Sequence, residues 1–244
     1  MPTLPRLIAT AVSRFGVAPR GIESRLSPLE PAGNVGGDTF DFALQRDTLH
    51  FSVTDAMGHE VDAAVLATIL VGSLRNARRA GVGLAEQARR GNRELADNAR
   101  DGGFVTGQVA RVDLDAGTAS IVNAGHPLPF RVRDGRIDRV DLQIDPPFGT
   151  VRGHEYRAQP LPLEPGDRLM FFTDGVLERN TTSVDIETMV ASGAEMHPRE
   201  AVQHLTQAIL EATGGALNDD ATVFCLDWHG GPQRDRITDD GANR

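Results

Sequence analysis

The sequence predicts an α+β fold, and three observations carry that reading. Short strand-like runs outnumber helical ones. Neighbouring runs are joined by tight turns. Helical periodicity is confined to a few blocks and does not alternate regularly with the strands. Tight turns pair neighbouring strands antiparallel, and helices segregated from the strands pack on the outside of sheets.

Each element follows in order. In residues 4–16, Leu4, Ile8, Ala11, Val12 and Phe15 fall at helical spacing, which predicts an amphipathic helix that docks on the body or on a second subunit. Residues 22–29 read as extended. Residues 38–45 and 48–54 form a hairpin turned around Gln45–Asp47. A helix is predicted over 61–79, with Val61, Val65, Ile69 and Leu74 near one face. A weaker one follows over 84–99, where Gly91 costs about 1 kcal/mol relative to alanine. Residues 104–114 and 118–123 make a strand–turn–strand around Asp115–Gly117. Residues 128–133 and 136–142 make another, turned by Asp134–Gly135. Extended segments are expected at 154–161 and 167–173. A helix over 198–212 opens with Pro198 in its first turn, and a largely apolar strand closes the body at 221–228. The domain reading is an N-terminal helical extension over 1–20, one domain over 21–229, and a polar, disordered tail over 230–244.

Composition narrows the function. The chain has 244 residues, with 25 Lys+Arg against 34 Asp+Glu and a net charge of −9. An acidic chain argues against nucleic acid as the main partner, because phosphate backbones are met by basic patches. Arg75, Arg78, Arg79, Arg89, Arg90 and Arg93 do cluster, but no aromatic side chain is interleaved, so a solvated helix face is expected, with an anion- or partner-binding face as the minority reading. The one cysteine, Cys225, lies in an apolar run and is expected to be a buried small hydrophobe in a reducing cytoplasm. No apolar stretch reaches membrane-spanning length.

The residues that carry chemistry are aspartates at strand ends, next to glycine: Asp38 in Gly36-Gly37-Asp38, Asp55 before Ala56-Met57-Gly58-His59, Asp174 in Thr173-Asp174-Gly175, and Asp219 and Asp220 ahead of the last strand. Any one of them could simply cap a turn. Four together would repel and be costly to desolvate without a cation. Oxygen-only donors suit Mg²⁺ or Mn²⁺. The separations are too long for a local metal loop, so only the fold could assemble them.

Five segments appear in an order that resembles a known family: Gly33–Asp41 (GNVGGDTFD), Asp55–Ala64 (DAMGHEVDAA), Phe104–Pro129 (FVTGQVARVDLDAGTASIVNAGHPLP), Glu164–Glu178 (EPGDRLMFFTDGVLE) and Asp219–Leu226 (DDATVFCL). Together they resemble the SpoIIE/RsbU-type serine/threonine phosphatases of the metal-dependent PPM superfamily, from about Glu23 to Trp228. The resemblance implies a four-layer α-β-β-α sandwich, two central antiparallel sheets flanked by helices, with two Mn²⁺ or Mg²⁺ ions at one edge. By motif position the ligands would be Asp38, Asp55 as the bridging carboxylate, the carbonyl of Ala56, Asp174 and Asp219, with Asp220 a weaker candidate. These residues would serve hydrolysis by a metal-activated water. The implied substrate is a phosphorylated anti-sigma-factor antagonist, a STAS-domain protein, in cytoplasmic partner-switching signalling. Control would come from a regulatory protein, from homodimerisation or from the helices at 61–99.

The chain departs from the family at two points. Relatives usually read Gly-His-Gly where Gly58-His59-Glu60 stands. Met57 occupies the place of a histidine proposed as a general acid in eukaryotic-type members. His126, in Asn123–Pro127, is a family mark read as turn architecture. His50, His154, His197, His204 and His229 show no metal-ligand spacing. Two other readings stand beside the phosphatase: a non-catalytic binding module of the same fold, and a hydrolase of small phosphate esters.

Overall fold

Turn chemistry sets the pairing. The computed structural model describes residues 7–12, 37–58, 60–99, 102–174, 186–212 and 221–230. Its elements are β1 (Leu7–Val12), β2 (Thr39–Gln45), β3 (Thr48–Ala56), α1 (Glu60–Arg79), α2 (Leu84–Asn98), β4 (Val105–Asp113), β5 (Thr118–Ala124), β6 (Phe130–Arg133), β7 (Arg136–Arg139), β8 (Gln159–Pro160), β9 (Arg168–Phe172), α3 (Ile186–Ser192), α4 (Pro198–Ala212) and β10 (Ala221–Asp227). The β6–β7 turn places Asp134 at φ 49° and Gly135 at φ 72°, the two positive values that match the twist of a two-residue hairpin.

Two five-stranded sheets result, ordered β1-β10-β9-β6-β7 and β2-β3-β4-β5-β8. Their inner faces meet in a core built on Phe51, Phe171 and Phe224, with Phe51 and Phe224 stacked at 5.2 Å. The outer face of the second sheet is covered by α1 and α2 through Leu66, Leu70, Leu74, Leu84 and Leu95. The outer face of the first is covered by α3 and α4 through Ile186, Val190, Val202, Leu205 and Ile209. This is the expected α-β-β-α order. Cys225 is fully buried in the α3–α4 core.

Several expectations need correction. Leu7–Val12 is a strand, paired in parallel with β10 from Leu7↔Ala221 to Val12↔Leu226, and not part of a helix over 4–16. A short apolar run fits either periodicity, and here the free edge of β10 supplies the backbone partners that decide it. That pair is also the one parallel ladder among the described strands. Helix α1 forms where expected, but its apolar face differs. Ala63, Leu66, Ala67, Leu70, Leu74 and Ala77 are buried, whereas Val61 and Val65 are 67% and 50% exposed. Small alanines, unweighted in a search for large apolar side chains, carry the contact. Gly91 is what lets α2 lie close to α1, since a Cβ there would meet Leu70 Cδ1 at 2.7 Å. Of the extended segment at 154–161 only Gln159–Pro160 is a strand, and α3 lies where no element was read. The segment at 22–29 and residues 231–244 of the tail lie outside the described residues.

Candidate metal centre

Three of the aspartates meet where the two sheets share an edge. Asp38 immediately precedes β2, Asp55 is the penultimate residue of β3, and Asp174 stands two residues beyond β9. Asp38 thus belongs to one sheet and Asp174 to the other. Asp38 is buried, and its Oδ2 accepts hydrogen bonds from Thr173 Oγ1 at 2.7 Å and Thr222 Oγ1 at 2.8 Å. The two threonines are themselves locked together, with Thr222 N donating to Thr173 Oγ1 at 2.8 Å. Adjacent strands of one sheet therefore present paired hydroxyls to a carboxylate from the other. Sequence reading missed both threonines. Thr173 adjoins Asp174 and Thr222 follows Asp220 by two residues, and a hydroxyl so close to such a carboxylate was the available signal.

Asp55 hydrogen-bonds through its side chain to both Asp174 and Asp38. Burial first, then the charges of those two neighbours, pushes its pKa up to about 10. Every influence acting on it raises that value, so at neutral pH the cluster holds its carboxylates together by keeping a proton on Asp55.

Ala56 completes the cradle. Its N–H donates to Gly37 O at 3.3 Å. Its carbonyl oxygen lies so close to Gly37 that a Cβ there would sit 2.7 Å away, so this backbone approach requires a glycine before Asp38. Met57 N donates to Phe104 O at 3.0 Å, fixing the chain as it leaves β3, and the Met57 side chain is 43% exposed. Asp219, Asp220 and His59 lie outside the described residues.

The donors brought together are thus three carboxylates and a carbonyl, all oxygen, the set a hard divalent cation takes. Among the described residues no group of three or more His, Cys, Asp or Glu is arranged as a finished metal site. The carboxylates are neighbours bridged by hydrogen bonds, not yet splayed around one point. Their chemistry fits Mg²⁺ or Mn²⁺, since a cation would displace the Asp55 proton and relieve the repulsion it masks.

Other buried or half-buried carboxylates are neutralised differently. Asp167 takes two hydrogen bonds from Arg133, at 2.6 and 2.7 Å. Asp227 takes two from Arg168, at 2.7 and 2.9 Å. Asp145 accepts from His154 Nε2, Arg157 N and Arg157 Nε. Asp41 is held by Arg75 and Arg78, which with the Glu86 pairs of Arg89 and Arg90 accounts for four of the six clustered arginines.

His126 is 1% exposed and shapes its turn as expected. Asn123 Nδ2 donates to His126 O, and His126 N donates to Asn123 Oδ1, both at 2.9 Å. Burial lowers its pKa to about 3, so the ring is neutral at physiological pH.

One mixed and one antiparallel sheet with flanking helices, and an acidic cluster at their shared edge, give a fold of the PP2C or PPM type. Within it, the profile of the family described as Stage II sporulation protein E (SpoIIE) matches residues 45–229, and the chain belongs to that family. Phosphoserine phosphatase RsbU of Bacillus subtilis is 22% identical over 202 residues, 80% of this chain and 60% of its own length. The RsbU and RsbW domains of a Mycobacterium tuberculosis protein superpose with a TM-score of 0.72 at 25% identity, over 95% of this chain and 62% of that one. The PP2C phosphatase domain of SpoIIE from Bacillus subtilis, solved with a fragment of its regulatory domain, gives 0.70 at 19% identity, over 82% and 61%. The chain spans about three fifths of the length of these relatives.

Proposed function

We propose that this chain is a metal-dependent phosphoserine/phosphothreonine protein phosphatase. The observation that carries the reading is the meeting of Asp38, Asp55 and Asp174, contributed by two sheets, at one edge. Asp38, Asp55, Asp174, the Ala56 carbonyl and Asp219 would hold two Mn²⁺ or Mg²⁺ ions. Bound there, the ions supply an activated water and neutralise charge on the phosphoryl oxygens. The chain's own residues do the rest. Thr173 and Thr222 fix the rotamer of Asp38, and Gly37 lets the Ala56 carbonyl approach. Asp55 would give up its proton to solvent when the ions are held and so offer them a carboxylate. No side chain need act as nucleophile, and buried Cys225, whose thiol is held protonated by burial, is unsuited to that role.

The substrate we assign is a phosphorylated anti-sigma-factor antagonist, a STAS-domain protein, in cytoplasmic signalling. Likeness to RsbU and to a protein joining RsbU and RsbW domains supports it. Regulation would come from a separate protein or a homodimer acting through α1, which begins five residues after Asp55. No described helix is long and apolar enough to cross a membrane. The test is hydrolysis of p-nitrophenyl phosphate with Mn²⁺, with and without chelator, by wild type and Asp174→Asn. Turnover should require Mn²⁺ and be lost in the variant; equal rates in all conditions would remove the reading. Phosphorylated STAS proteins then compete as substrates, and a wild type that hydrolyses none of them overturns the substrate assignment.

A further inference from the structure

The exposed apolar side chains are not spread evenly over the surface. Among the described residues five large ones are exposed: Met57, Val61, Val65, Ile144 and Val151. All five stand on segments that leave the second sheet at the acidic edge. Met57 directly follows β3, whose penultimate residue is Asp55, and Val61 and Val65 lie in the first two turns of α1. Ile144 precedes Asp145, whose bridge partner is Ala124 at the end of β5. Val151 follows shortly after Phe148, the bridge partner of Val105 at the start of β4. Neighbouring strands are about 4.8 Å apart, so the ends of β3, β4 and β5 span only about 10 Å at this edge.

The turns at the opposite ends of the strands are polar. There the exposed side chains include Arg46, Asp115, Asp134, Arg136 and Glu164, and no large apolar one. Single exposed apolar residues are ordinary on a surface, but their gathering at one edge marks an interaction site. Size and charge select the occupant. A small ester held at the carboxylates does not reach Val65, which lies about 7.5 Å along the helix axis from the start of α1. A second copy in a two-fold contact centred here would set one acidic cluster against another. An anionic lipid surface would meet the same cluster and the exposed Asp62 between the two valines. A phosphorylated protein brings apolar surface for these side chains and, in its phosphoryl group, the anion that the carboxylates accept once they hold cations.

We propose that Met57, Val61, Val65, Ile144 and Val151 form a rim on which a phosphorylated protein substrate seats its apolar surface, bringing its phosphoseryl or phosphothreonyl group to Asp38, Asp55 and Asp174. The rim supplies affinity and takes no part in the chemistry, so it acts on KM and not on kcat. It also separates protein substrates from small esters, which meet the carboxylates alone. This role rests on the phosphatase reading above and names the surface by which that site selects its substrate.

The experiment uses the full chain with Mn²⁺ and two kinds of substrate, p-nitrophenyl phosphate and phosphorylated STAS-domain proteins. Val65→Glu and Val151→Glu change exposed positions on different segments. Each should raise KM for the phosphoprotein about 10-fold, the worth of one half-exposed valine buried on docking, with kcat within about twofold. The double variant should raise it about 100-fold, since distant sites add. None of the three should alter kcat or KM for p-nitrophenyl phosphate, and Val65→Met should keep the wild-type KM on both. A readout free of turnover is calorimetry with the unphosphorylated STAS protein, whose Kd should rise in the same order. An unchanged phosphoprotein KM in the double variant overturns the rim. So does an equal loss on both substrates, which would make the valines props of the site, and so does a wild type that hydrolyses p-nitrophenyl phosphate but no phosphoprotein. A wild-type dimer that Val65→Glu splits without changing phosphoprotein kinetics gives the face to a second copy, and phosphatidylserine vesicles that bind wild type but not the double variant give it to a membrane; either overturns the proposal. A wild type inert toward p-nitrophenyl phosphate overturns the parent reading, and this one with it.

Discussion

Asp167 and Asp174 are seven residues apart and stand at opposite ends of β9, yet the chain treats them in opposite ways. Asp167 is fully buried against two guanidinium hydrogen bonds from Arg133 and also accepts from Glu164 N at 2.8 Å. Asp174 instead faces Asp55, in a cluster where acid raises acid. The first is a carboxylate compensated from within, as are Asp145 and Asp227. The second is an acid among acids, and what would balance it must come from outside. A fold able to place an arginine against one end of a strand could place one at the other, so the contrast separates carboxylates that hold the chain together from those that, on the function proposed above, would hold a cation.

Exchanging the two breaks the comparison most directly. Asp174→Asn should reduce Mn²⁺-dependent turnover by about a thousandfold or more, from the loss of metal-held charge stabilisation, while leaving the thermal midpoint unchanged or raised as repulsion falls. Asp167→Asn should do the reverse: Arg133 keeps its charge and loses its buried partner, with only exposed Glu164 left to it, at a cost of about 3 kcal/mol in urea unfolding, with kcat preserved. Equal effects of the two on stability and turnover would erase the distinction.

A smaller effect is expected at the hydroxyl pair. Thr222→Val takes one donor from buried Asp38 and should cost about 1–3 kcal/mol, read as a lower urea midpoint. Adding Mn²⁺ should recover part of it, since a cation satisfies the same oxygen. A variant as stable as wild type would mean that Asp38 does not depend on that bond.

The subtlest prediction concerns protons. Asp55 has a folded pKa raised from 3.8 to about 10, so the metal-free native state binds more protons than the unfolded chain across that interval. Its contribution is present in full below the unfolded value and is lost as pH rises through the folded one. Stability without metal should therefore decline from about pH 4 toward pH 10 as far as Asp55 governs it, and saturating Mn²⁺ should flatten the slope. At pH 7 Mn²⁺ uptake should release about one proton, measured by calorimetry in two buffers of different ionisation enthalpy. Uptake with no buffer dependence would show Asp55 already ionised.

Much of this was legible in the sequence. The strand-ending aspartates beside glycine, the β6–β7 turn and the strong helical blocks each follow from local chemistry. What was not legible depends on partners far along the chain. Thr222 acts on Asp38 from 184 residues away, and no periodicity announces that. Leu7–Val12 is a strand because β10 has an edge to fill. The face of α1 was misjudged because alanines bury it, and alanine carries too little apolar area to be seen as a core residue beside valine. The arginines that neutralise Asp145, Asp167 and Asp227 were equally invisible, so the sequence offered no way to tell those carboxylates from the ones at the centre.

Gly91 has a mechanical consequence. With Leu70 Cδ1 only 2.7 Å from where its own Cβ would be, α2 packs closely on α1, and Asn92 holds the next loop by accepting from Gly149 N and donating to Val151 O. Phe148 in turn exchanges backbone bonds with Val105, the ladder partner of Ala56. A continuous run of contacts therefore joins the helical hairpin, through the 148–151 loop, to the rim of the acidic edge.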